Sequence, residues 1–348
     1  MHRYSYTSLK TLAAELLGQN GIPDEPARLI AETLVEGDLM GHTTHGLALL
    51  PAYLQELDKG AMKPEGRPVV LSESKTNVVW DGEYLSGVYL TRLAVREALT
   101  RSADQPVVTY VIRRAHHIAC LAAYMQEIIE AGRVGILMAS DPAAQLVAPF
   151  GGKESLYSPN PIAAGIPAGP NGPVILDIST SVTAAGVVNR HKQAGTLLPG
   201  KWLLTKDGNP TDDPGALDDG GSILPLGGLD VGYKGFALGL LVEALTSGLG
   251  GFGRAEEPSN WGTSVFLQVL NPDAFSGSAA LEKEMSWLTR ASREMSTRPE
   301  VDSVRVPGDR ALALRKEQLA QGVPLDAALL DTIQSLCREK NIRFPEEM

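Results

Sequence analysis

Four of the six histidines in this 348-residue chain form two pairs, and their imidazoles are the best candidates for chemistry. His42 and His45 lie in a segment rich in glycine and threonine, whereas His116 and His117 follow two arginines. An imidazole whose pKa is near its ordinary value can give and take a proton close to neutral pH. The residues alone leave two readings open for each histidine, a general acid or base and a buried structural side chain.

The same two pairs suggest a metal site, which would make the protein a metal-dependent hydrolase. A zinc site needs three or four ligands with supporting carboxylates. Neither the helical spacing of two histidines with a glutamate nor a cysteine pair is present in the sequence. We therefore expect no metal and keep the hydrolase as the alternative from another functional class.

Composition narrows the range of partners and compartments. The chain has 31 Lys and Arg against 41 Asp and Glu, a formal charge of −10, and no dense basic stretch that would bind nucleic acid. No apolar run approaches the roughly 20 residues that cross a bilayer, and the first residues lack a signal-peptide pattern. We expect Cys120 and Cys337 to be reduced thiols of a cytoplasmic enzyme that acts on a small molecule.

The candidate residues must be positioned by a mixture of helices and strands. Helical spacing of apolar residues predicts helices over 9–17, 25–39, 88–101, 119–131, 235–247 and 326–340. Apolar or β-branched runs predict strands over 107–112, 134–138, 162–166, 174–178 and 264–270. The span 199–228 shows no clear element. This order predicts an α/β protein whose first hundred residues are mostly helical.

A glycine pattern near the C-terminal third resembles a dinucleotide-binding fingerprint. Gly248, Gly250 and Gly253 have its spacing, but they follow a predicted helix instead of joining a strand to a helix. We therefore interpret these glycines as the segment that ends that helix. A Rossmann fold is not predicted.

Blocks along the whole chain resemble the type-2 malate/L-lactate dehydrogenase family, whose members include 2,3-diketo-L-gulonate reductase, ureidoglycolate dehydrogenase and Δ1-piperideine-2-carboxylate reductase. The first block, which resembles the family's Ser-His-Gly, Leu-Pro-x-Tyr, Gly and Pro pattern, consists of His45-Gly46, Leu50-Pro51, Tyr53, Gly60 and Pro64. The later blocks, in the same order as in the family, are His117 with Tyr124; Ala148 to Gly152; Asn160 to Ile162 with Gly165 to Pro167; Leu176 to Ser181; Gly208 to Thr211 with Asp213-Pro214; Leu224 to Gly228; Tyr233 to Gly235; and Pro307-Gly308.

The resemblance implies a homodimeric NAD- or NADP-dependent oxidoreductase with a non-Rossmann, mixed-sheet α/β fold of the sulfolactate-dehydrogenase-like type. It implies hydride transfer between nicotinamide and a 2-oxo acid or 2-hydroxy acid. The main alternative within the class is reduction of a cyclic 2-imino acid such as piperideine- or pyrroline-2-carboxylate. We expect residues 106–309 to form the cofactor-binding domain, and residues 1–105 with 310–348 to form a mainly helical substrate and dimerisation part.

The resemblance also assigns roles to residues. His45 matches the proton donor, His117 matches a second active-site histidine that orients the substrate, and Thr44 and Lys153 are expected beside the substrate. The expected cofactor-binding residues are Ser140, Asp177, Ile178, Ser179, Tyr233, Lys234, Gly308 and Asp309. Independently, Asp177 ends an apolar strand, where ligand crevices open in α/β sheets, and Lys234 precedes an apolar helix whose N-terminus suits a phosphate.

The chain differs from the family pattern at several positions, and the first of these differences affects substrate binding. Leu49 stands where many members have an arginine that binds the substrate carboxylate. Two expectations follow: carboxylate binding passes to Lys153, Arg113 or Arg114, or the substrate carries its charge elsewhere. Thr44 replaces the common serine and keeps its hydroxyl, Tyr233 replaces a frequent histidine, and Pro159 replaces a threonine.

Overall fold

The computed structural model describes residues 2–348 and builds them around one large mixed sheet. The helices are α1 (Tyr6–Gln19), α2 (Asp24–Leu39), α3 (Leu50–Asp58), α4 (Gly87–Arg101), α5 (Met125–Glu130), α6 (Ala185–Gln193), α7 (Gly228–Val231), α8 (Tyr233–Glu243), α9 (Ser278–Arg293), α10 (Asp309–Gln321) and α11 (Ala327–Glu339). The strands are β1 (His2–Tyr4), β2 (Val69–Glu73), β3 (Asn77–Asp81), β4 (Val107–Ala115), β5 (Val134–Ser140), β6 (Ile162–Ile166), β7 (Val174–Ile178), β8 (Leu203–Leu204), β9 (Pro210–Thr211), β10 (Ser222–Ile223), β11 (Thr263–Leu270) and β12 (Val323–Leu325).

The strand directions in the large sheet bring several strand ends to one edge. Its order is β2-β3-β4-β11-β5-β6-β7, in which β3 and β4 are parallel and every other neighbouring pair is antiparallel. Strands β4, β5 and β7 therefore run in the same direction, and their carboxyl ends share an edge. His117, Asp141 and Asp177 lie at those three ends, so the sheet topology alone places them together.

Helices cover both faces of this sheet. On one face, α4, α5 and the turn Leu121–Tyr124 pack against β4, β5 and β11 around fully buried side chains such as Tyr110 and Leu137. On the other face, Val242 of α8 packs against Val111, Met138 and Phe266. Burial of each large apolar side chain contributes about 1.5–3 kcal/mol, so these two layers hold the strand ends rigidly.

The two ends of the chain share a second core. Side chains of α1, α2 and α3 pack with those of β12 and α11, including Leu16, Leu34 and Ile333. The ion pair between Glu36 and Arg315 ties α2 to α10. Strands β2 and β3 come from the segment expected to be mainly helical, but they pair in the large sheet. The division into two domains stays a prediction.

Most predicted elements are confirmed, with bounds that differ by a few residues. The predicted helix 119–131 is shorter, because residues 121–124 form a 3-10 turn before α5. The absence of structure predicted over 199–228 is wrong. Strands β8, β9 and β10 form a small sheet there, each with two residues, which is too short for any periodic pattern in the sequence.

Two further expectations concern the membrane and the cysteines. Across residues 2–348, the structure contains no helix with both the length and the apolar character that crossing a membrane requires. Cys120 and Cys337 are buried and free, with no disulfide between them.

Candidate active site

His45 is positioned by the way in which α2 ends. Gly41 adopts the left-handed conformation at φ +83°, which a glycine adopts without strain. The amide of His42 then donates to the carbonyl of Gly37 at 2.8 Å, and that of Gly41 donates to the carbonyl of Asp38 at 2.9 Å. This paired capping pattern stops the helix and turns the chain sharply. His45 lies in the turn that follows, before a short 3-10 helix at Leu47–Leu49.

The buried carboxyl group of Asp38 stabilises this turn. Asp38 Oδ2 accepts a hydrogen bond from the amide of Leu47 at 2.8 Å. Burial raises the pKa of Asp38 to about 7, against the lowering effect of the Leu47 amide. The backbone of Gly46 passes so close that a methyl group there would lie 2.3 Å from Asp38 Oδ1. Only a glycine fits between His45 and this carboxyl group.

Gly46→Ala is therefore expected to displace the turn that carries His45. The added methyl group overpacks a buried site, which costs about 1–3 kcal/mol of unfolding free energy and moves the imidazole. Urea unfolding and the turnover number measure the two effects. Gly18→Ala is the matched control, because Gly18 is exposed in α1 with nothing within 4 Å of the added atom. Equal behaviour of the two variants would contradict this account of the turn.

His45 and His117 face each other across a short gap. Their ring centroids are 5.7 Å apart and the rings are inclined by 32°. The hydroxyl of Thr44 lies 2.9 Å from His45 Nδ1 and engages that nitrogen. Nε2 of His45 is thus the nitrogen left to exchange a proton with a ligand.

The surroundings of His117 fix its tautomer. The amide of Ala119 points at His117 Nδ1 at 3.3 Å, and the hydroxyl of the buried Tyr53 lies 2.8 Å from the same atom. Because an amide can only donate, Nδ1 is the acceptor, and a neutral His117 carries its proton on Nε2. Burial, with help from His45 and His116, lowers the pKa of His117 well below its ordinary value. His117 is thus a neutral hydrogen-bond donor near pH 7.

The pKa of His45 depends on two opposing influences. Burial is the largest and lowers the pKa, because it disfavours the charged imidazolium. The negative charge of Asp177 raises the pKa in turn, and His42, the smallest of these influences, lowers it. The net effect is a pKa of His45 below its ordinary value, so the imidazolium form is populated only on the acidic side of that value.

These residues line one cavity of about 490 Å³. Its wall includes the turn around His45, the segment after β4, the ends of β5 and β7, the first turn of α6, and Trp261 before β11. The indole of Trp261 stacks on His117, with centroids 4.9 Å apart. This volume lies in the range of cavities that hold small molecules.

Asp177 reaches the cavity from the end of β7. Its Oδ2 accepts a hydrogen bond from the amide of Ala122 at 2.8 Å and contacts the thiol of Cys120 at 3.7 Å. Ser179, two residues on, also lines the cavity, while its hydroxyl donates to the carbonyl of Ser181 at 2.9 Å. Ile178 between them is exposed, as the alternation of a strand requires.

Residues 4–334 match the family model described as malate/L-lactate dehydrogenase. The chain belongs to the malate/L-lactate dehydrogenase family. It is 30% identical to the L-lactate dehydrogenase of Cupriavidus necator, over 99% of both chains. It is also 30% identical to the Δ1-pyrroline-2-carboxylate/Δ1-piperideine-2-carboxylate reductase of Pseudomonas syringae pv. tomato, over 95% of each. The solved malate dehydrogenase of Entamoeba histolytica has the same fold, with a TM-score of 0.93 at 23% identity over 99% of both chains.

The match to the family model confirms the resemblance that the sequence blocks indicated. The match to the solved structure confirms the mixed-sheet fold that the resemblance implied. The protein is an oxidoreductase of the malate/lactate dehydrogenase class. The hydrolase alternative has no support from this family. One group of three ligand atoms within 4.8 Å of one another exists in residues 2–348, formed by His42, Cys120 and Asp177, and it does not combine the two histidine pairs. His116 is fully buried beside Trp261, away from the cavity wall.

Several residues expected at the site lie in its wall, namely Thr44, His45, His117, Ser140, Asp177 and Ser179. The structure does not bring the others to the cavity wall. Lys153, Tyr233 and Lys234 are exposed, and Gly308 caps α10. Asp309 accepts two hydrogen bonds from Arg293, which lower its pKa.

The proposed replacements for the missing arginine are also engaged elsewhere. Arg113 and Arg114 both form ion pairs with Asp81, at 2.9 and 2.6 Å. Leu49, which occupies the sequence position of the family's arginine, lines the cavity. No side chain of Lys or Arg belongs to the cavity wall in the part of the chain that the structure describes.

Sequence reasoning missed a buried polar network under the cavity floor. Glu243 of α8 accepts hydrogen bonds from Ser140 at 2.9 Å, from Asn160 at 3.0 Å and from Arg254 at 2.8 Å. Arg254 also donates to the backbone carbonyls of Asp141, Pro142 and Ala144. No sequence motif indicates these contacts, most of which join residues 83 to 113 positions apart.

Asp141 was missed as well, although a signal for it exists. It follows directly after β5 and lines the cavity, as Asp177 does at the end of β7. The rule that ligands bind at the carboxyl ends of strands, which selected Asp177, would have selected Asp141 too.

Proposed function

We propose that this member of the family reduces a 2-oxo acid, or oxidises the matching 2-hydroxy acid, with NAD or NADP as cofactor and His45 as the proton donor. The observation that carries the proposal is the pair formed by His45 and His117 in a cavity that also contains Asp177. One ring then supplies a proton, and the other supplies a fixed hydrogen-bond donor.

His45 acts as the general acid in reduction. Thr44 holds its Nδ1, so proton transfer to the carbonyl oxygen is assigned to Nε2. His117, neutral and protonated on Nε2, donates a hydrogen bond to the same carbonyl and fixes its orientation. Tyr53 and Trp261 keep the His117 ring in place, so the donor is preorganised.

The cavity is suited to a nicotinamide nucleotide. Its volume of about 490 Å³ accommodates a nicotinamide ring beside a small substrate, and Asp177 has one carboxylate oxygen that no protein donor occupies in residues 2–348. When bound, the nicotinamide supplies the hydride. We assign Ser140, Asp177 and Ser179 to its binding inside the cavity. Ile178, Tyr233, Lys234, Gly308 and Asp309 are assigned to the remainder of the nucleotide on the resemblance alone.

The test is the loss of reduced-nicotinamide absorbance with NADH and NADPH in parallel, across 2-oxo acids, ketosugar acids and cyclic imino acids. We expect loss with at least one substrate and one of the two cofactors. Binding of cofactor without turnover of any of these compounds would contradict the proposed reaction.

The proposed roles give the reaction a pH dependence of known sign. Reduction needs protonated His45, whose pKa is lowered below its ordinary 6.5 by burial. Therefore kcat/KM for reduction is expected to fall as the pH rises through a value below 6.5, and kcat/KM for oxidation is expected to rise over the same interval. Asp177→Asn should move both transitions to lower pH, because Asp177 raises the pKa of His45. If the two transitions keep their pH values in this variant, the charge of Asp177 does not raise the pKa of His45.

We further propose a cytoplasmic homodimer. Leu240, Leu241 and Leu249 are exposed by 46% to 57% along α8 and its continuation, a surface suited to burial against a second copy. The buried free thiols of Cys120 and Cys337 are consistent with a reducing compartment. Light scattering is expected to give twice the chain mass of 37.0 kDa, and the mass of a single chain would contradict the dimer.

A further inference from the structure

Three side chains of different chemistry meet in one part of the cavity wall. A ring nitrogen of His42, the Sγ atom of Cys120 and a carboxylate oxygen of Asp177 all lie within 4.8 Å of one another. All three residues line the cavity that also contains His45. This set differs from the two histidine pairs of the sequence, because it takes one histidine and adds a thiol and a carboxylate.

Three separate segments of the fold hold these donor atoms. His42 follows the end of α2, where its amide donates to the carbonyl of Gly37 at 2.8 Å. Cys120 is 2% exposed and lies in the segment between β4 and α5. Asp177 lies near the end of β7, and its Oδ2 accepts a hydrogen bond from the amide of Ala122 at 2.8 Å. Because the fold already positions each donor, little conformational entropy is lost when the three bind a common ion.

The spacing of the donors suits a tetrahedral metal ion. Bonds from zinc to sulfur, nitrogen and oxygen place neighbouring donor atoms about 3.3–3.6 Å apart. Cys120 Sγ and Asp177 Oδ2 are 3.7 Å apart, which is close to that spacing. The side chains of Thr43 and Thr44 have hydrogen-bond partners in the turn after α2, whereas the half-buried His42 ring has none within residues 2–348. The ring is therefore free to rotate towards the other two donors.

The chemistry of the donors determines which cation fits. A thiolate and an imidazole suit Zn²⁺, whereas Mg²⁺ and Ca²⁺ prefer oxygen ligands. Three protein ligands leave the fourth position of a tetrahedral ion for water or another small ligand. The group is therefore selective for a borderline-soft divalent cation such as Zn²⁺.

We propose that His42, Cys120 and Asp177 form a reversible inhibitory site for Zn²⁺ inside the cavity. Each residue supplies one ligand atom, and the thiol of Cys120 releases its proton to solvent as the Zn–S bond forms, with no transfer of electrons. The ion is an inhibitor and not a cofactor of the reaction.

The inhibition follows from the shared use of Asp177. It rests on the proposed function, in which the carboxylate of Asp177 binds the nicotinamide nucleotide. An ion on that carboxylate neutralises its charge and occupies the space beside it in a cavity of about 490 Å³. Zn²⁺ and the nucleotide therefore exclude each other, and each lowers the apparent affinity of the other.

Calorimetric titration of the metal-free protein with Zn²⁺ tests the site without any need for turnover. We expect one tightly bound Zn²⁺ per chain, proton release that is measured in buffers of different ionisation enthalpy, and no binding of Mg²⁺. Co²⁺ should give a thiolate-to-metal absorption band that Cys120→Ser lacks.

Variants identify the ligands. Cys120→Ser is expected to raise the Kd of Zn²⁺ about a hundredfold. Cys337→Ser is the matched control, because it alters the other buried free thiol, and its Kd should be unchanged. His42→Gln makes the same test at a half-buried position, with His191→Gln as its control, so that the result does not depend on the folding of a variant with an altered buried residue.

Repeating the titration with NADH or NADPH present tests the inhibition. We expect the apparent Kd of Zn²⁺ to rise with the concentration of the nucleotide that binds, after correction for Zn²⁺ bound by the nucleotide alone. Where turnover is measured, Zn²⁺ should inhibit competitively with that nucleotide.

Two results would overturn the inference. An equal Kd of Zn²⁺ in Cys120→Ser and Cys337→Ser would overturn the site, and a Kd that saturating nucleotide leaves unchanged would overturn the inhibition. If neither nucleotide binds, the proposed function and the inhibition fail together, while the titrations with Zn²⁺ alone decide whether the site exists.

Discussion

Replacing His45 by glutamine is expected to lower kcat for reduction by about a hundredfold to ten-thousandfold, the usual contribution of a general acid. Glutamine fills a similar space and can hydrogen-bond to Thr44, but its amide cannot supply a proton to the substrate. The dissociation constant of the cofactor should stay within about threefold, because the ring of His45 is assigned to the substrate and not to the nucleotide.

His191→Gln is the matched control for this substitution. His191 is half-buried on α6 and hydrogen-bonds to Thr196, outside the cavity wall. Steady-state rates and cofactor titrations of the two variants separate a chemical role from a general effect of losing a histidine. An unchanged kcat in His45→Gln would remove His45 from proton transfer.

Replacing Arg254 by alanine is expected to lower the unfolding free energy by about 3–5 kcal/mol, because Glu243 would lose its cationic partner in a largely buried place. The side chains of Arg254 and Glu243 are only 21% and 19% exposed, and Arg254 also binds three backbone carbonyls of the cavity wall. The loop that carries Asp141 should loosen at the same time. Urea unfolding measures the stability, and KM for substrate reports on the loop.

Two further variants distinguish the charge of Arg254 from its planar geometry. Arg254→Lys keeps the charge but cannot reach all of its acceptors at once, so an intermediate loss of stability is expected. In the double variant Arg254→Met with Glu243→Leu, both charges are removed, and the stability should recover above that of Arg254→Ala. If Arg254→Ala unfolds at the same urea concentration as the unaltered protein, the network does not hold the cavity floor.

The local spacing of apolar residues was sufficient to predict many of the helices and strands of this fold. The helix α2 and the strands β6 and β7 are predicted within one residue, because apolar periodicity reflects burial on one face. The strand-end rule also located Asp177 in the cavity. The residues alone indicated both histidine pairs, and the family resemblance selected His45 and His117 from them and added Thr44. The roles of these three residues in catalysis stay proposals.

What the sequence could not provide depends on contacts between distant segments. The seven-stranded order places β11 between β4 and β5, although it follows them by more than a hundred residues. Arg254 becomes a support of the cavity because that order brings the segment before β11 next to the backbone carbonyls of Asp141, Pro142 and Ala144, which follow β5. Arg113 and Arg114 were expected near the substrate, yet Asp81 binds both, since β3 and β4 are neighbours in the sheet.

Isotopic labelling of the cofactor shows directly whether hydride is transferred in this cavity. The enzyme is supplied with reduced nicotinamide nucleotide deuterated at C4 on either face, together with the substrate that gives turnover, and the product is analysed by mass spectrometry. We expect one of the two labelled cofactors to transfer its deuterium to the former carbonyl or imine carbon, and the other to keep it. A reduced product without deuterium from either cofactor would contradict hydride transfer in this cavity.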